Sequence, residues 1–274
     1  KNGYRRLLAR VPRQTNELCD LYVKGLPSNL PALSATRNHE LWVITRDDFL
    51  STKRRMVWKG DTSSSLDSRR EQAMREMEFS WVPISSLWPG DYIAEPFPQE
   101  EDPEALGDER WNCPEVAFLM GLYAAEGCTV SRAERPGEDH YVVFVVSGKE
   151  RDTINRAEDS AAVFGYKLYK DESKVTSTRL ELHWQDFARV CRRHVGKLGP
   201  HKKLSSDILM MPREWQQEFF DAYASGDGCV RGVGKEEGTV RCVSASARLL
   251  RGMRLMLARR GFAASISGRH NKKA

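Results

Sequence analysis

Two apolar runs in the second half of the chain share one pattern. The first spans residues 118–127 and ends in Glu126 followed by glycine, and the second spans residues 219–228 and ends in Asp227 followed by glycine. Each run consists of apolar and small residues, which predicts two helices that both end with an acid. A carboxylate at the C-terminal end of a helix faces the negative end of the helix dipole, so it favours a compensating cation nearby.

The hydrophobic pattern after residue 110 predicts a diverged internal repeat in which a helix is followed by a strand pair and a further helix. The predicted helices span residues 112–127, 150–164, 185–194, 212–228 and 247–260. The predicted strands span residues 128–132, 140–147, 166–169, 178–184, 229–233 and 239–244. Pro114 suits the first turn of its helix, and Gly165 is typical of a helix end.

The first part of the chain predicts mainly β structure. Short β-prone runs lie at residues 41–45, 55–58 and 92–94, and a polar stretch at residues 61–75 predicts a loop. Residues 98–110 combine prolines, a glycine and several acids without apolar periodicity, which is typical of a linker. The predicted organisation is a mainly β domain over 1–97, an acidic linker over 98–110 and an α+β domain over 111–274.

Composition and charge describe a mildly basic protein. Its 274 residues include 43 Lys and Arg against 38 Asp and Glu, a formal charge of +5. The six cysteines are scattered without paired spacing, which argues against a zinc site and a disulfide framework. Without a membrane-length apolar run or a signal peptide, the sequence predicts a cytoplasmic, nucleoid or nuclear protein that is not secreted and does not bind membranes.

The two acids suggest a shared metal site. Small residues on both predicted helices allow the backbones to approach closely, at Gly121, Ala124, Ala125, Ala222, Ala224 and Gly226. Close approach brings Glu126 and Asp227 together, and a carboxylate pair is suited to Mg²⁺ or Mn²⁺. A divalent metal activates water and stabilises charge during phosphodiester hydrolysis. The alternative is that each acid and its glycine form an ordinary helix end.

These two helices resemble the LAGLIDADG motifs of homing endonucleases. Residues 243–262, with a serine before an amphipathic helix, resemble the segment that follows the second motif in intein-type members. The resemblance covers residues 111–268. It implies a saddle of two pseudo-symmetric helix, strand-pair and helix repeats, in a monomer that cuts both strands of a long asymmetric DNA site to leave short 3′ overhangs. Glu126 and Asp227 would be its metal-binding catalytic residues.

A lysine block strengthens this resemblance. Residues 201–209 resemble the K-x-I-P-like segment of intein-type homing endonucleases, with Lys202 in the lysine place and Leu204 in the isoleucine place. Ser205 stands where that family has proline, and Lys203 is the second choice for the lysine. A catalytic lysine here would orient the water or stabilise transition-state charge. The alternative is a surface lysine that binds phosphate without taking part in the chemistry.

In a saddle of this type, the strand pairs would lie in the DNA major groove, which is wide enough for β-ribbons. Basic residues on or near these strands are candidate DNA contacts: Arg132, Arg135, Lys149, Lys170, Lys174, Arg179, Lys203, Arg231, Lys235 and Arg241. The alternative is that many of them are only solvated charges.

The N-terminal part resembles the Hint domain of inteins. Residues 34–43 match a T-x-x-H block through Thr36 and His39, and residues 81–93 match a strand with a G-D-Y-I turn. Splicing also needs a nucleophile at residue one and a terminal His-Asn before Ser, Thr or Cys. Lys1 opens the sequence, and Lys272 follows the only His-Asn pair near its end, so we expect the sequence as it stands not to splice. Either flanking splicing segments lie outside this sequence, or the domain is a relic that serves as a scaffold or DNA clamp, with Thr36 and His39 as a splicing relic. A further alternative is that His39 is a structural histidine.

The sequence thus predicts an intein-derived, metal-dependent endonuclease that cuts double-stranded DNA at a specific site. Two alternatives stay open. One is a catalytically inactive DNA-binding or RNA-binding relative, such as a maturase or a transcription regulator. The other is a fragment of a protein-splicing intein that carries the nuclease region as a passenger.

Overall fold

The computed structural model of the chain describes residues 18–23, 32–51, 78–94, 101–131, 139–174, 176–231, 239–262 and 264–267. The described residues within 18–94, together with Ser267, belong to one unit, and those within 101–266 belong to the other. Helices and antiparallel strands are both present, which confirms the predicted α+β class. Within the described ranges, no helix is both long enough and apolar enough to cross a membrane.

The unit within residues 18–94 is mainly β. Its strands are β1 (Leu18–Leu21), β2 (Leu33–Thr36), β3 (Glu40–Ile44), β4 (Ser80–Pro83) and β5 (Tyr92–Ile93). β1 pairs with β2, and β3 lies between β4 and β5 in an antiparallel sheet. Two predicted strands are therefore present as β3 and β5, while the predicted strand at 55–58 and loop at 61–75 lie outside the described residues.

The unit within residues 101–266 follows the predicted order of elements. Its first part contains α1 (Pro114–Glu126), β6 (Gly127–Ser131), β7 (Asp139–Ser147), α2 (Arg151–Ala162), β8 (Leu168–Asp171), β9 (Ser177–Leu182) and α3 (Gln185–His194). Its second part contains α4 (Ser206–Met210), α5 (Arg213–Asp227), β10 (Gly228–Arg231), β11 (Thr239–Cys242) and α6 (Ala247–Arg259). The pattern did not predict α4 as a separate helix.

Local signals explain where the main helices begin and end. Cys113 is the N-cap of α1 and Pro114 is its first helical residue, where the missing N–H costs no hydrogen bond. Ser246 caps α6, since its hydroxyl accepts the Leu249 N–H at 3.2 Å. Gly165 follows α2 with φ of +76°, a left-handed conformation that ends the helix.

β6, β7, β9 and β8 form an antiparallel sheet in that order. On one face, Val142, Phe144, Leu180 and Leu182 are buried in the same core as α1, because alternate residues of a strand point to the same side. The other face carries exposed and partly exposed side chains such as Arg179. β10 pairs with β11 in a separate ladder.

Part of the predicted linker packs against the C-terminal unit. The Asp102 N–H donates to the Met210 carbonyl at 2.8 Å, and Leu106 is buried in the main hydrophobic core. Residues 101–109 are thus held to this unit, while the two predicted domain boundaries themselves stay predictions.

Candidate active site

The C-terminal ends of α1 and α5 meet because both helices carry small residues where they cross. A Cβ atom on Gly121 would lie 2.1 Å from the main-chain oxygen of Phe219, so only glycine fits there. A Cβ atom on Gly226 would lie 2.9 Å from the Ala125 Cβ and 2.8 Å from the Glu126 Cγ. The side chain of Glu126 therefore lies directly against α5, one residue from Asp227.

Both acids are partly buried, and both have raised pKa values. Burial is the largest cause of the raised pKa of Glu126, and the negative charges of Asp227 and Glu150 raise it further. Burial also raises the pKa of Asp227, while Lys202 and the Tyr223 hydroxyl oppose that shift. The fold thus holds two carboxylates close together at a site that disfavours their charge, and a bound cation would relieve this cost.

Lys202 lies at the end of α1. It is only 4% exposed, and its Nζ donates to the main-chain oxygens of Tyr123 at 2.7 Å and Ala124 at 3.0 Å. Both carbonyls lie in the last turn of α1, where a cation is favourable. Burial lowers the pKa of Lys202, and the nearby charges of Asp227 and Glu126 oppose that shift.

The structure adds two residues that the sequence did not single out. The buried Tyr223 hydroxyl lies close enough to Asp227 to lower the pKa of Asp227. The contact between the two groups does not reach full hydrogen-bond geometry. Glu150, just before α2, acts on Glu126 through its charge, and its buried Oε2 has no hydrogen-bond partner. Tyr223 lies one helical turn before Asp227, a spacing that the sequence displays, whereas no sequence signal links Glu150 to Glu126.

An open cleft of about 340 Å³ adjoins these groups. It is lined by Ala124, Ala125, Gly199, Lys202, Asp227, Val243, Ser244 and Ala245. Within the described part of the chain, no three His, Cys, Asp or Glu side chains gather as a closed metal site would require. Two carboxylates beside an open cleft fit Mg²⁺, which keeps several waters and takes phosphate oxygens as further ligands.

One predicted DNA contact belongs to a polar cluster on the exposed sheet face. Arg179 Nε donates to Glu181 Oε1 at 2.8 Å, and Glu181 Oε2 lies 3.2 Å from His183 Nε2. The ring of His183 stacks on Tyr141 with centroids 4.6 Å apart and meets Tyr169 edge-on. The sequence analysis missed His183 and both tyrosines, although Arg179 and His183 occupy alternating positions that place them on one face.

Lys170 does not share that face. It pairs with Leu180, which points into the core, and its Nζ contacts Glu158 Oε2 of α2 at 2.6 Å. Lys170 and Arg179 therefore lie on opposite faces of the sheet, and the DNA contact of Lys170 stays a prediction.

The remaining predicted DNA contacts divide into exposed and undescribed side chains. Those that are exposed are Lys149, Lys174, Lys203 and Arg241. Side chains outside the described part are Arg132, Arg135, Arg231 and Lys235.

The proposed splicing residues lie at the turn between β2 and β3. Thr36 ends β2, and the His39 N–H donates to the Thr36 carbonyl at 2.9 Å. The His39 side chain is exposed, and its carbonyl accepts the Ile84 N–H at 2.8 Å. Their relation to splicing stays a prediction.

This chain is similar to parts of curated proteins of two kinds, and the names of the two kinds are unrelated. An iron-sulfur cluster assembly SufBD family protein of Mycobacterium tuberculosis, and another of Mycobacterium bovis, are each 26% identical to it over 214 residues, which is 74% of this chain and 22% of each relative. The replication factor C small subunit of Methanocaldococcus jannaschii is 20% identical over 229 residues, which is 80% of this chain and 11% of that protein. The chain thus spans less than a quarter of the length of these relatives.

A model of a domain family matches the end of the chain. The matched residues, 214–274, begin in the first turn of α5 and include Asp227, β10, β11 and α6. Glu126 and Lys202 precede the match. The model is that of a LAGLIDADG-like domain, so residues 214–274 are similar to that family.

Proposed function

We propose that this chain is a homing endonuclease that cuts both strands of DNA at a long, asymmetric site and acts as a monomer. The observation that carries the proposal is the meeting of Glu126 and Asp227 at the crossing of α1 and α5, with Lys202 buried beside them. Retention of an acid at both helix ends favours an active enzyme over a binding relative, which needs neither.

The residues at the cleft suit phosphodiester hydrolysis. Bound Mg²⁺ or Mn²⁺ would supply an activated water and neutralise charge on the phosphate. Glu126 and Asp227 would provide carboxylate oxygens to hold the metal. The Tyr223 hydroxyl lies beside Asp227 and stabilises its charged form.

Lys202 is suited to assist the reaction. An ammonium group has three N–H donors, and two of them are used by the carbonyls of Tyr123 and Ala124. The third donor is left for a phosphate oxygen in the cleft that Lys202 lines. A buried positive charge at this place stabilises the negative charge that develops on the phosphate in the transition state.

The comparisons support an intein origin for the chain. Proteins named for iron-sulfur cluster assembly and for DNA replication match most of this chain, yet the match covers only 22% and 11% of those proteins. A segment shared by proteins with unrelated names is what an element inserted into different hosts would give. We therefore propose that residues 1–97 are a Hint-like domain beside the endonuclease. Expressing the chain with added splicing residues between two marker proteins, and looking for a ligated product, tests this part separately.

Cleavage of a randomised duplex library tests the proposed nuclease activity. The library is incubated with the protein in Mg²⁺ and in EDTA, and the ends of the cut molecules are sequenced. The proposal predicts cuts at one long sequence, in Mg²⁺ only, with short 3′ overhangs. Retention of specific duplexes without any cut would instead identify a binding protein and overturn the proposal.

A further inference from the structure

The main chain around Lys202 is an extended segment, residues 202–205, which we call the lysine strap. The Lys203 N–H donates to the Val195 carbonyl at 2.8 Å, and the Ser205 N–H donates to the His194 carbonyl at 2.9 Å. The strap therefore runs along the end of α3. These two bonds fix its far side, but they leave the Lys202 carbonyl and the Leu204 side chain to be held by another element.

That element is α6, through the side chain of Ser246. The Ser246 hydroxyl donates to the Lys202 carbonyl at 2.5 Å and accepts the Leu249 N–H at 3.2 Å. The hydroxyl proton makes the bond to the Lys202 carbonyl, and a lone pair of the hydroxyl oxygen accepts the Leu249 N–H, so both bonds form at once. Ser246 is 1% exposed, so removal of its hydroxyl takes a hydrogen-bond partner from two main-chain groups at a buried place.

Gly252 on the same helix contacts a second residue of the strap, Leu204. A Cβ atom on Gly252 would lie 2.8 Å from the Leu204 Cγ and 2.9 Å from the Leu204 Cβ. Leu204 thus packs directly on the backbone of α6. Any larger residue at position 252 must push the strap away from this helix.

We propose that Ser246 and Gly252 of α6 are positioning residues for Lys202. Ser246 binds the Lys202 carbonyl and Gly252 receives the Leu204 side chain, so α6 holds the main chain of the strap. The carbonyls of Tyr123 and Ala124 hold Nζ, so the lysine is fixed at its main chain and at its amine. Helix α6, which follows Asp227 in the chain, thereby positions Lys202 beside Glu126 and Asp227. The role in cleavage rests on the proposed endonuclease function, whereas the positioning itself is a property of the fold.

Chemical labelling tests the positioning without any need for activity. Acetic anhydride modifies exposed amines, and mass spectrometry measures the rate at each lysine of the full chain. Replacing Ser246→Ala should raise the rate at Lys202 about fivefold, the factor expected from loss of one ordinary hydrogen bond, and leave the rate at Lys203 unchanged. Ser246→Thr, which keeps the hydroxyl, should restore the slow rate, and Ser206→Ala is the matched control on an exposed serine. An unchanged rate at Lys202 in Ser246→Ala would overturn the proposal.

Gly252→Ala gives an independent perturbation of the same strap. It should also raise the labelling of Lys202, because the new methyl group displaces Leu204. If Ser246→Ala does not fold, Gly252→Ala decides whether α6 positions Lys202. Slow labelling of Lys202 in a folded Gly252→Ala protein would contradict the assigned role of Gly252.

A double-mutant cycle on the recovered DNA site connects the positioning to cleavage. Ser246→Ala should lower kcat while the Kd for the duplex stays the same. In a Lys202→Met background, Ser246→Ala should cause no further loss, since the residue it positions is gone. Equal losses in both backgrounds would show that Ser246 acts independently of Lys202 and would refute the proposal. If the wild type does not cut DNA at all, the proposed function fails, and the labelling result still decides whether Ser246 positions Lys202.

Discussion

Gly121 of α1 lies so close to Phe219 of α5 that a Cβ atom on the glycine would come within 2.1 Å of the Phe219 carbonyl oxygen. This contact brings two helix backbones together along the core of the C-terminal unit. The approach of Glu126 to α5 depends on it, because both acids lie at the ends of these two helices. The packing of the two helices and the geometry of the site therefore both depend on Gly121.

We expect Gly121→Ala to destabilise the protein by about 1–3 kcal/mol or more, because the methyl group meets backbone atoms that cannot rotate away. Gly199→Ala is the matched control, since a Cβ atom there meets nothing within 4 Å. Urea unfolding of both variants measures the difference. Equal stability of Gly121→Ala and the wild type would mean that the helices do not cross as closely as described.

The raised pKa values of Glu126 and Asp227 make stability depend on pH. A carboxyl group whose pKa is raised by folding favours the folded state when it is protonated. That contribution is complete below its ordinary pKa and is lost as the pH rises through the raised value. At neutral pH in EDTA, both charges thus oppose folding.

Glu126→Gln and Asp227→Asn should therefore raise Tm at pH 7 in EDTA, and their advantage over the wild type should disappear near about pH 4. Thermal unfolding at the two pH values measures this. Asp221→Asn, on the exposed side of α5, is the control and should not change Tm. A lower Tm for both site variants at pH 7 would indicate that the carboxylates stabilise the apo protein.

Lys202 and Lys203 are neighbours with different surroundings, and they should have different effects. Lys202→Met should lower kcat by about 10²–10³-fold, as for loss of one transition-state donor, with little change in duplex affinity. Lys203 is exposed, so Lys203→Met should weaken duplex binding and leave the rate on bound DNA unchanged. Single-turnover cleavage and binding assays separate the two effects. The reverse pattern would assign the catalytic role to Lys203.

The exposed sheet face should contact DNA phosphates through Arg179 but not through Lys170. Arg179→Gln should reduce the slope of log affinity against log salt by about 0.9, the value for one phosphate contact. Lys170→Gln should leave the slope unchanged, since this lysine faces α2 and pairs with Glu158. Binding measured over a range of salt concentrations tests both. A slope that changes only for Lys170→Gln would place the DNA on the other side of the sheet.

The sequence predicted the order and type of the elements in the C-terminal unit because its local signals are strong. Alternating apolar residues in β9 and the proline at the start of α1 both act within one element. The face of Lys170 was harder to predict, since it depends on the register between β8 and β9.

Contacts between distant segments were not predictable from the sequence. Ser246 looked like a helix cap, and it is one, but its bond to the Lys202 carbonyl joins residues 44 positions apart. The effect of Glu150 on Glu126 likewise depends on how β7 and α1 pack. Such relationships arise from tertiary packing, which periodicity and residue preferences do not encode.

The most direct test of the central claim compares cleavage and binding by Glu126→Gln and Asp227→Asn on the recovered DNA site. Glu214→Gln and Asp221→Asn are the matched controls, because both are exposed acids on α5 away from the cleft. We predict that the wild type and the controls cut both strands in Mg²⁺, whereas the two site variants bind the duplex equally tightly and do not cut it. Undiminished cleavage by either site variant would contradict the account, and so would loss of folding in both, since the acids would then serve packing instead of chemistry.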